Sequence, residues 1–181
     1  FQFINSITIG PVSMDIYSVW RFLRCLILMC GLVMIAKTDL KERIIPNRML
    51  VAMLTLRSIL LLQECVSSSD TWTHILLSSV WGALSGGGFF LICCMISKGG
   101  VGAGDVKLFA TIGYYLGGRV WDSILFSLSL ASVWSLYLLL HGKGKWEKGI
   151  PLAPFALAGT TLAMLLETGG KDEIFYFLLH R

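Results

Sequence analysis

The chain has 181 residues, of which 55% are hydrophobic and only 14% are charged, and its mean hydropathy is +0.74. Soluble domains are about half apolar and about a quarter charged, so this composition argues against a soluble domain and indicates a helical membrane protein. The formal net charge is +4, and most of the basic residues lie in loops between apolar runs. This placement indicates that they orient the protein in a membrane and do not bind nucleic acid.

Six apolar runs follow one another along the chain, and we predict an all-α, polytopic protein with six transmembrane helices. A membrane span needs about 20 residues, so the second and fourth runs predict two short helices. We expect residues 14–181 to form a single transmembrane domain, and we interpret residues 1–13 as an upstream segment or a vector-derived remnant. The six runs are residues 17–36, 49–62, 75–96, 106–118, 120–140 and 150–166.

Basic residues collect in alternate loops, whereas residues 63–74 are acidic and rich in Ser and Thr. By the positive-inside rule the basic loops are cytoplasmic, which predicts that both termini lie outside a cytoplasmic membrane. The basic residues are Lys37, Lys41, Arg43 and Arg48 in the first loop, Lys98 and Lys107 around the fourth run, and Lys143, Lys145 and Lys148 before the sixth.

Two aspartates are expected on the same cytoplasmic side. Asp39 ends the first run within KTDLKERIIPN, and Asp105 opens the fourth within GGVGAGDVK. Two carboxylates held together cannot both ionise cheaply, so one holds a proton while the other activates a water for attack on an amide. This chemistry is that of an aspartic protease and needs no cofactor. Because both short helices start beside these motifs, we expect the site to be recessed below the membrane surface.

The helix ends predict how the two aspartates divide the shared proton. Asp39 follows a helix C-terminus, whose dipole disfavours negative charge, whereas Asp105 opens a helix at its positive end. On that ground the proton is assigned to Asp39. Gly102 and Gly104 remove side chains beside Asp105 and would let another backbone or a substrate peptide come close. GGVGAGDVK does not have the spacing of a phosphate-binding P-loop.

Three motifs occur in an order that resembles the type IV prepilin peptidases, a family of GxGD aspartic membrane proteases. They are Asp39 followed by Ile45-Pro46-Asn47, then GAGDVK at residues 102–107, then IPLAPF at residues 150–155. The resemblance implies cleavage of the basic leader of prepilins or pseudopilins at the cytoplasmic membrane face, typically after Gly, for a type IV pilus or protein secretion. It implies catalysis by Asp39 and Asp105. The implied substrate-binding residues are Gly102, Gly104, Lys107, Pro46 and Asn47.

Larger members of the family also carry a cytoplasmic four-cysteine site and an N-methyltransferase activity. The five cysteines here show no such pattern and no spacing typical of metal ligands, so we expect neither the methyltransferase activity nor a metal. The partners implied are a prepilin or pseudopilin and the lipid bilayer, with no nucleic acid.

Two alternatives stay open at this point. A presenilin-like GxGD intramembrane protease would pair a Tyr-Asp motif with GxGD, whereas here Thr38 precedes the first aspartate. A small transporter could also use an acidic pair. A transporter favours acidic residues near the bilayer midplane and internal repeats.

Overall fold

The computed structural model describes residues 16–67, 72–97, 102–141 and 151–168. The segment 1–13, Lys98 and the lysines of the loop before the sixth run lie outside these ranges. Within the described ranges the chain forms six α-helices and no strand, so the all-α prediction is confirmed. The helices are α1 (Ile16–Glu42), α2 (Asn47–Ser67), α3 (Trp72–Ile96), α4 (Ala103–Leu116), α5 (Val120–Leu140) and α6 (Ala153–Thr168).

Three segments among the described residues are long and apolar enough to cross a membrane, which identifies a membrane protein. They are Asn47–Val66, Trp72–Ile96 and Ala103–Leu140, and the last contains both α4 and α5 joined by a 3₁₀ turn at Gly117–Arg119. Large apolar side chains such as Leu125, Leu140 and Val133 are more than half exposed, as expected for a surface that faces lipid. The count of six spans stays a prediction.

The prediction of two short helices is correct for α4 and wrong for α2. Helix α4 has 14 residues, but α2 has 21 and continues past the apolar run that ends at Leu62. The added turn includes Glu64, whose carboxylate pairs with Arg57 at 3.1 Å two turns earlier. A polar residue with a buried partner can extend a membrane helix, and a count of apolar residues misses this. Only the shortness of α4 therefore still favours a recessed site.

Helix α4 lies at the centre of the bundle. Its side chains Leu108, Phe109 and Ile112 are fully buried, and Phe109 stacks on Phe90 of α3 with ring centroids 4.1 Å apart. The hydroxyl of Tyr115 donates a 2.7 Å hydrogen bond to the backbone carbonyl of Met53 in α2. These contacts fix α4 against both neighbouring helices.

Glycines allow α3 and α4 to approach closely. A Cβ atom on Gly82 would collide with the carbonyl oxygen of Gly113, and a Cβ atom on Gly113 would collide with the carbonyl oxygen of Gly82. Gly86 similarly faces the backbone of Phe109. The four-residue spacing of small residues in α3 is therefore a packing feature. Close packing of α3 holds α4, and with it Asp105, in a fixed position.

Candidate active site

Four helix ends meet around one cavity of about 480 Å³ at one end of the bundle. They are the C-terminus of α1 and the N-termini of α2, α4 and α6. The cavity has the size of a typical ligand pocket. Its lining comprises Asp39, Arg43, Ile44, Ile45 and Asn47 from the α1–α2 connection, Gly102, Gly104, Asp105 and Lys107 from the start of α4, and Pro151 and Leu152 before α6.

Asp39 lies in the last turn of α1, and its side chain is only 5% exposed. Its Oδ2 atom accepts a 3.0 Å hydrogen bond from the backbone N–H of Ala153, the first residue of α6. The first amides of a helix have no partner within the helix and carry its positive dipole end, so they stabilise a carboxylate. The start of α6 therefore fixes the Asp39 carboxylate in the cavity wall.

Helix α1 ends at Glu42 because the backbone turns at Arg43. Arg43 has a φ of 53°, in the left-handed region, and its N–H donates a 2.9 Å hydrogen bond to the carbonyl of Asp39. This is the αL helix stop, which usually uses glycine. A side chain in this conformation costs about 1–2 kcal/mol. The turn brings Arg43 into the cavity lining beside Asp39.

Asp105 lies in the first turn of α4 and is partly buried. Its N–H donates a 3.0 Å hydrogen bond to the carbonyl of Gly102, which closes the turn that starts the helix. A Cβ atom on Gly102 would lie 3.3 Å from Oδ2 of Asp105, closer than ordinary van der Waals contact. Gly102 therefore leaves room for the Asp105 carboxylate itself.

Gly104 faces the α1–α2 connection. A Cβ atom there would lie 3.2 Å from Cβ of Ile45, so the space beside Gly104 is filled by the α1–α2 connection. The sequence suggested that the two glycines admit either another backbone or a substrate peptide. In the structure Gly104 brings the connection that follows Asp39 against the helix that starts with Asp105.

Lys107 and Asn47 join the two motifs across the cavity. The ammonium group of Lys107 donates a 3.1 Å hydrogen bond to Oδ1 of Asn47, the first residue of α2. Pro46 lies outside the cavity lining, and its carbonyl accepts a 3.1 Å hydrogen bond from the N–H of Met49 at the start of α2. Of the seven site residues predicted from the sequence, six line the cavity. Pro46 does not line it.

Sequence reasoning missed the roles of Arg43 and Ala153. A prolyl residue two positions before Ala153 did signal a helix start. Only the tertiary fold shows that this start faces Asp39. Arg43 gave no local signal, since arginine is rarely used at a left-handed helix stop.

The position of Asp39 also changes the expected distribution of charge. From the sequence, only the C-terminus of α1, whose dipole disfavours an anion, was expected beside Asp39. The structure adds the N-terminus of α6, whose amide hydrogen-bonds the same carboxylate directly. A direct hydrogen bond to a charged group is worth about 1.5–3 kcal/mol, more than the 0.3–1 kcal/mol typical of a helix dipole. The first amide of α6 therefore stabilises a negative charge on the Asp39 carboxylate more than the end of α1 disfavours it.

Within the described ranges, no third carboxylate, cysteine or histidine joins Asp39 and Asp105 in a group that could hold a metal ion. The charged residues around the cavity are these two aspartates and the cations Arg43 and Lys107. The arrangement is two carboxylates in one cavity at the end of a membrane helix bundle, which is suited to acid–base chemistry on a bound peptide.

Comparison with known proteins agrees with this arrangement. Residues 26–140, which include both aspartates, match the sequence profile of the type IV leader peptidase family, and the chain belongs to this family. The match favours the leader peptidase hypothesis over the presenilin-like and transporter alternatives.

Two curated relatives are similar to the chain. A prepilin leader peptidase/N-methyltransferase of Bacillus subtilis (strain 168) is 34% identical over 135 residues, which cover 74% of this chain and 52% of the relative. A protein of the same description from Legionella pneumophila is 27% identical over 184 residues, covering 91% of this chain and 58% of the relative. The chain thus spans little more than half the length of these relatives. No solved structure matches it.

Proposed function

We propose that this protein is a prepilin leader peptidase, an aspartic endopeptidase that removes the basic leader of a type IV prepilin or pseudopilin, typically after Gly. Membership of the leader peptidase family supports the substrate class. The observation that carries the proposal is that Asp39 and Asp105, which are 66 residues apart in the sequence, line one cavity of about 480 Å³. The absence of N-methyltransferase activity remains a prediction from the sequence.

The proposed mechanism starts with Asp39 ionised and Asp105 protonated, which reverses the assignment made from the sequence. The amide of Ala153 supports this choice because it stabilises the negative charge on Asp39. Asp39 takes a proton from a water molecule, whose oxygen attacks the scissile carbonyl carbon. Asp105 donates its proton to the carbonyl oxygen, so that a neutral tetrahedral intermediate forms.

The second step returns both aspartates to their starting states. Asp39, now protonated, gives its proton to the amide nitrogen as the C–N bond breaks. Asp105 takes back a proton from a hydroxyl of the intermediate, which collapses to the carboxylic acid product. Water supplies the oxygen and both added hydrogens, so no metal or redox partner is needed for the balance.

The cavity wall also suggests how the leader is held. Ile44, Ile45 and Leu152 form an apolar wall beside the aspartates, and Lys107 and Asn47 form a polar one. We assign substrate binding to the edge formed by Gly102, Lys107 and Asn47. The role of Gly104 is to admit Ile45, which completes the apolar wall.

The exposed basic residues Lys41 and Arg48 lie at the same end of the bundle as the cavity. By the positive-inside rule this end faces the cytoplasm. With the six spans predicted from the sequence, both termini would lie outside, in a multi-pass protein of the cytoplasmic membrane. This orientation agrees with the cytoplasmic location of a basic leader before export.

The experiment is a cleavage assay in membranes that contain the protein and a candidate prepilin, with leader removal followed as a mobility shift. We expect Asp39→Asn and Asp105→Asn each to abolish cleavage, because each removes one carboxylate with little change in shape. Asp122→Asn is the matched control, since Asp122 lies in the first turn of α5 and does not line the cavity. Cleavage that survives both active-site substitutions would refute the proposal.

A further inference from the structure

Arg57 is a buried charged residue that the proposed mechanism does not use. It lies within the candidate membrane span Asn47–Val66, yet its side chain is only 1% exposed. A charge inside a membrane segment is costly, and a residue that carries one usually has a function. The contacts of Arg57 indicate what this function is.

The Arg57 guanidinium connects three helices. It pairs with Glu64 of α2 at 3.1 Å and donates a 3.2 Å hydrogen bond to the hydroxyl of Ser79 in α3. Its Nε atom donates a 3.3 Å hydrogen bond to the backbone carbonyl of Tyr114 in α4. Glu64 and Ser79 therefore hold the planar guanidinium in one orientation, and this orientation directs Nε at α4.

The contact with Tyr114 is made at the C-terminal end of α4. Tyr114 lies in the last turn of this helix, where carbonyl groups have no partner within a regular helix. A cation near this end also interacts favourably with the helix dipole. Arg57 thus acts as a C-terminal cap of α4 that α2 supplies.

The spacing of the two aspartates depends on how α4 lies against α2. Residues 43–46 connect α2 directly to the helix end that carries Asp39, and Asp105 lies in the first turn of α4. Tyr114 follows Asp105 by nine positions, so the Arg57 contact lies about 14 Å from Asp105 along the helix. A shift of α4 along α2 would therefore move Asp105 relative to Asp39.

Directional contacts between α2 and α4 oppose such a shift. Burial of apolar side chains such as Leu108 is favourable in no particular direction, whereas hydrogen bonds weaken steeply when their distance or angle changes. Near the cavity, the hydrogen bond between Lys107 and Asn47 is exposed and competes with water. The Arg57 side chain is buried, and hydrogen bonds are stronger in such surroundings. Arg57 is therefore well suited to fix α4 along α2.

We propose that Arg57 is a positioning residue for Asp105, which fixes α4 along α2 and thereby sets the approach of the two aspartates. This role, which rests on the proposed peptidase function, concerns position and not stability. Replacement of a buried ion pair by apolar residues of similar volume is often neutral or stabilising. Activity and stability should therefore respond differently when Arg57 and Glu64 are replaced together.

The test compares the double variant Arg57→Met/Glu64→Leu with Ser58→Ala. The double variant removes the donor to Tyr114 without leaving a buried carboxylate unpaired, as a substitution of Arg57 alone would do. Ser58→Ala is the matched control, because the hydroxyls of Ser58 and Tyr114 lie 3.3 Å apart and join the same two helices without the guanidinium. The measurements are leader cleavage, thermal unfolding in detergent and hydrogen–deuterium exchange of the backbone amides at residues 106–111.

We expect the double variant to unfold at or above the midpoint of the wild type. Its kcat should nevertheless fall about 10- to 100-fold, because a small displacement of a catalytic group is sufficient for such a loss. The amides at residues 106–111 should exchange faster, although they lie toward the Asp105 end of α4. Ser58→Ala should resemble the wild type in all three measurements.

Three results would overturn the positioning role. They are unchanged cleavage and exchange in the double variant, a lowered midpoint that would assign the ion pair to stability, and an equal loss of activity in Ser58→Ala. A wild-type protein that cleaves no candidate prepilin would contradict the peptidase function instead. In that case faster exchange in the double variant would still support the fixed position of α4, and unchanged exchange would overturn it.

Discussion

The backbone N–H of Ala153 donates a 3.0 Å hydrogen bond to Oδ2 of Asp39, a residue 114 positions earlier in the chain. The two residues belong to the first and last helices, and both are almost fully buried. The contact connects the IPLAPF segment to one of the two aspartates. The segment therefore positions Asp39, whether or not it also contacts substrate.

Removal of this amide should impair catalysis through Asp39. Ala153→Pro deletes the N–H while keeping a backbone that suits the first turn of a helix. We expect leader cleavage to fall about 10- to 100-fold at neutral pH, since a hydrogen bond to a charged group is worth about 1.5–3 kcal/mol.

Ala153→Val is the control for Ala153→Pro, because valine has as many side-chain carbon atoms as proline and keeps the N–H. Cleavage rates of both variants at neutral pH give the comparison. If the valine variant loses as much activity as the proline variant, bulk at this buried position is responsible and the hydrogen bond is not.

A methyl group at Gly102 should displace the Asp105 carboxylate. The added Cβ atom of Gly102→Ala would lie 3.3 Å from Oδ2 of Asp105. Small displacements of a catalytic group can cost about 100-fold in rate, and we expect a loss of at least tenfold in kcat. Gly118→Ala provides the comparison, because a Cβ atom there meets nothing within 4 Å. Equal activity of the two variants would show that Gly102 has no such role.

The close approach of α3 and α4 should tolerate no side chain at Gly82. Gly82→Ala would press a methyl group on the backbone of Gly113 and Gly117, and we expect it to lower the free energy of unfolding by about 1–3 kcal/mol. Gly88→Ala, on the same helix, meets nothing within 4 Å and should be neutral or stabilising by up to about 1 kcal/mol. Thermal unfolding in detergent separates the two, and a Gly82→Ala protein as stable as Gly88→Ala would contradict the packing.

The left-handed backbone at Arg43 should make Arg43→Gly and Arg43→Ala differ in stability, although both substitutions remove the guanidinium. Glycine adopts a φ of 53° without steric cost, whereas alanine does not. Arg43→Gly should therefore be more stable than Arg43→Ala by about 1 kcal/mol. This order is the reverse of that in a helix interior. Unfolding midpoints of the two variants measure it, and a more stable alanine variant would mean that the α1 helix continues through this position.

Several features of this protein could be read from the sequence, because they depend on local or periodic properties of the chain. Apolar runs fix which segments become helices, and alternating basic loops predict that Asp39 and Asp105 share one side of the membrane. The same reasoning failed for the length of α2, because the buried pairing of Glu64 with Arg57 depends on how α2 packs. The resemblance of three short motifs then indicated the family.

Other features were decided only by the tertiary structure, because they arise between residues far apart in sequence. A proline at position 151 is typical of the start of a helix, but only the packing of α6 against α1 directs the first amide of α6 at Asp39. Likewise, the sequence left open whether Gly104 makes room for another part of the chain or for substrate, and the fold brings Ile45 against it. Local sequence determines where a helix begins, whereas close packing determines which atoms its exposed amides and missing side chains face.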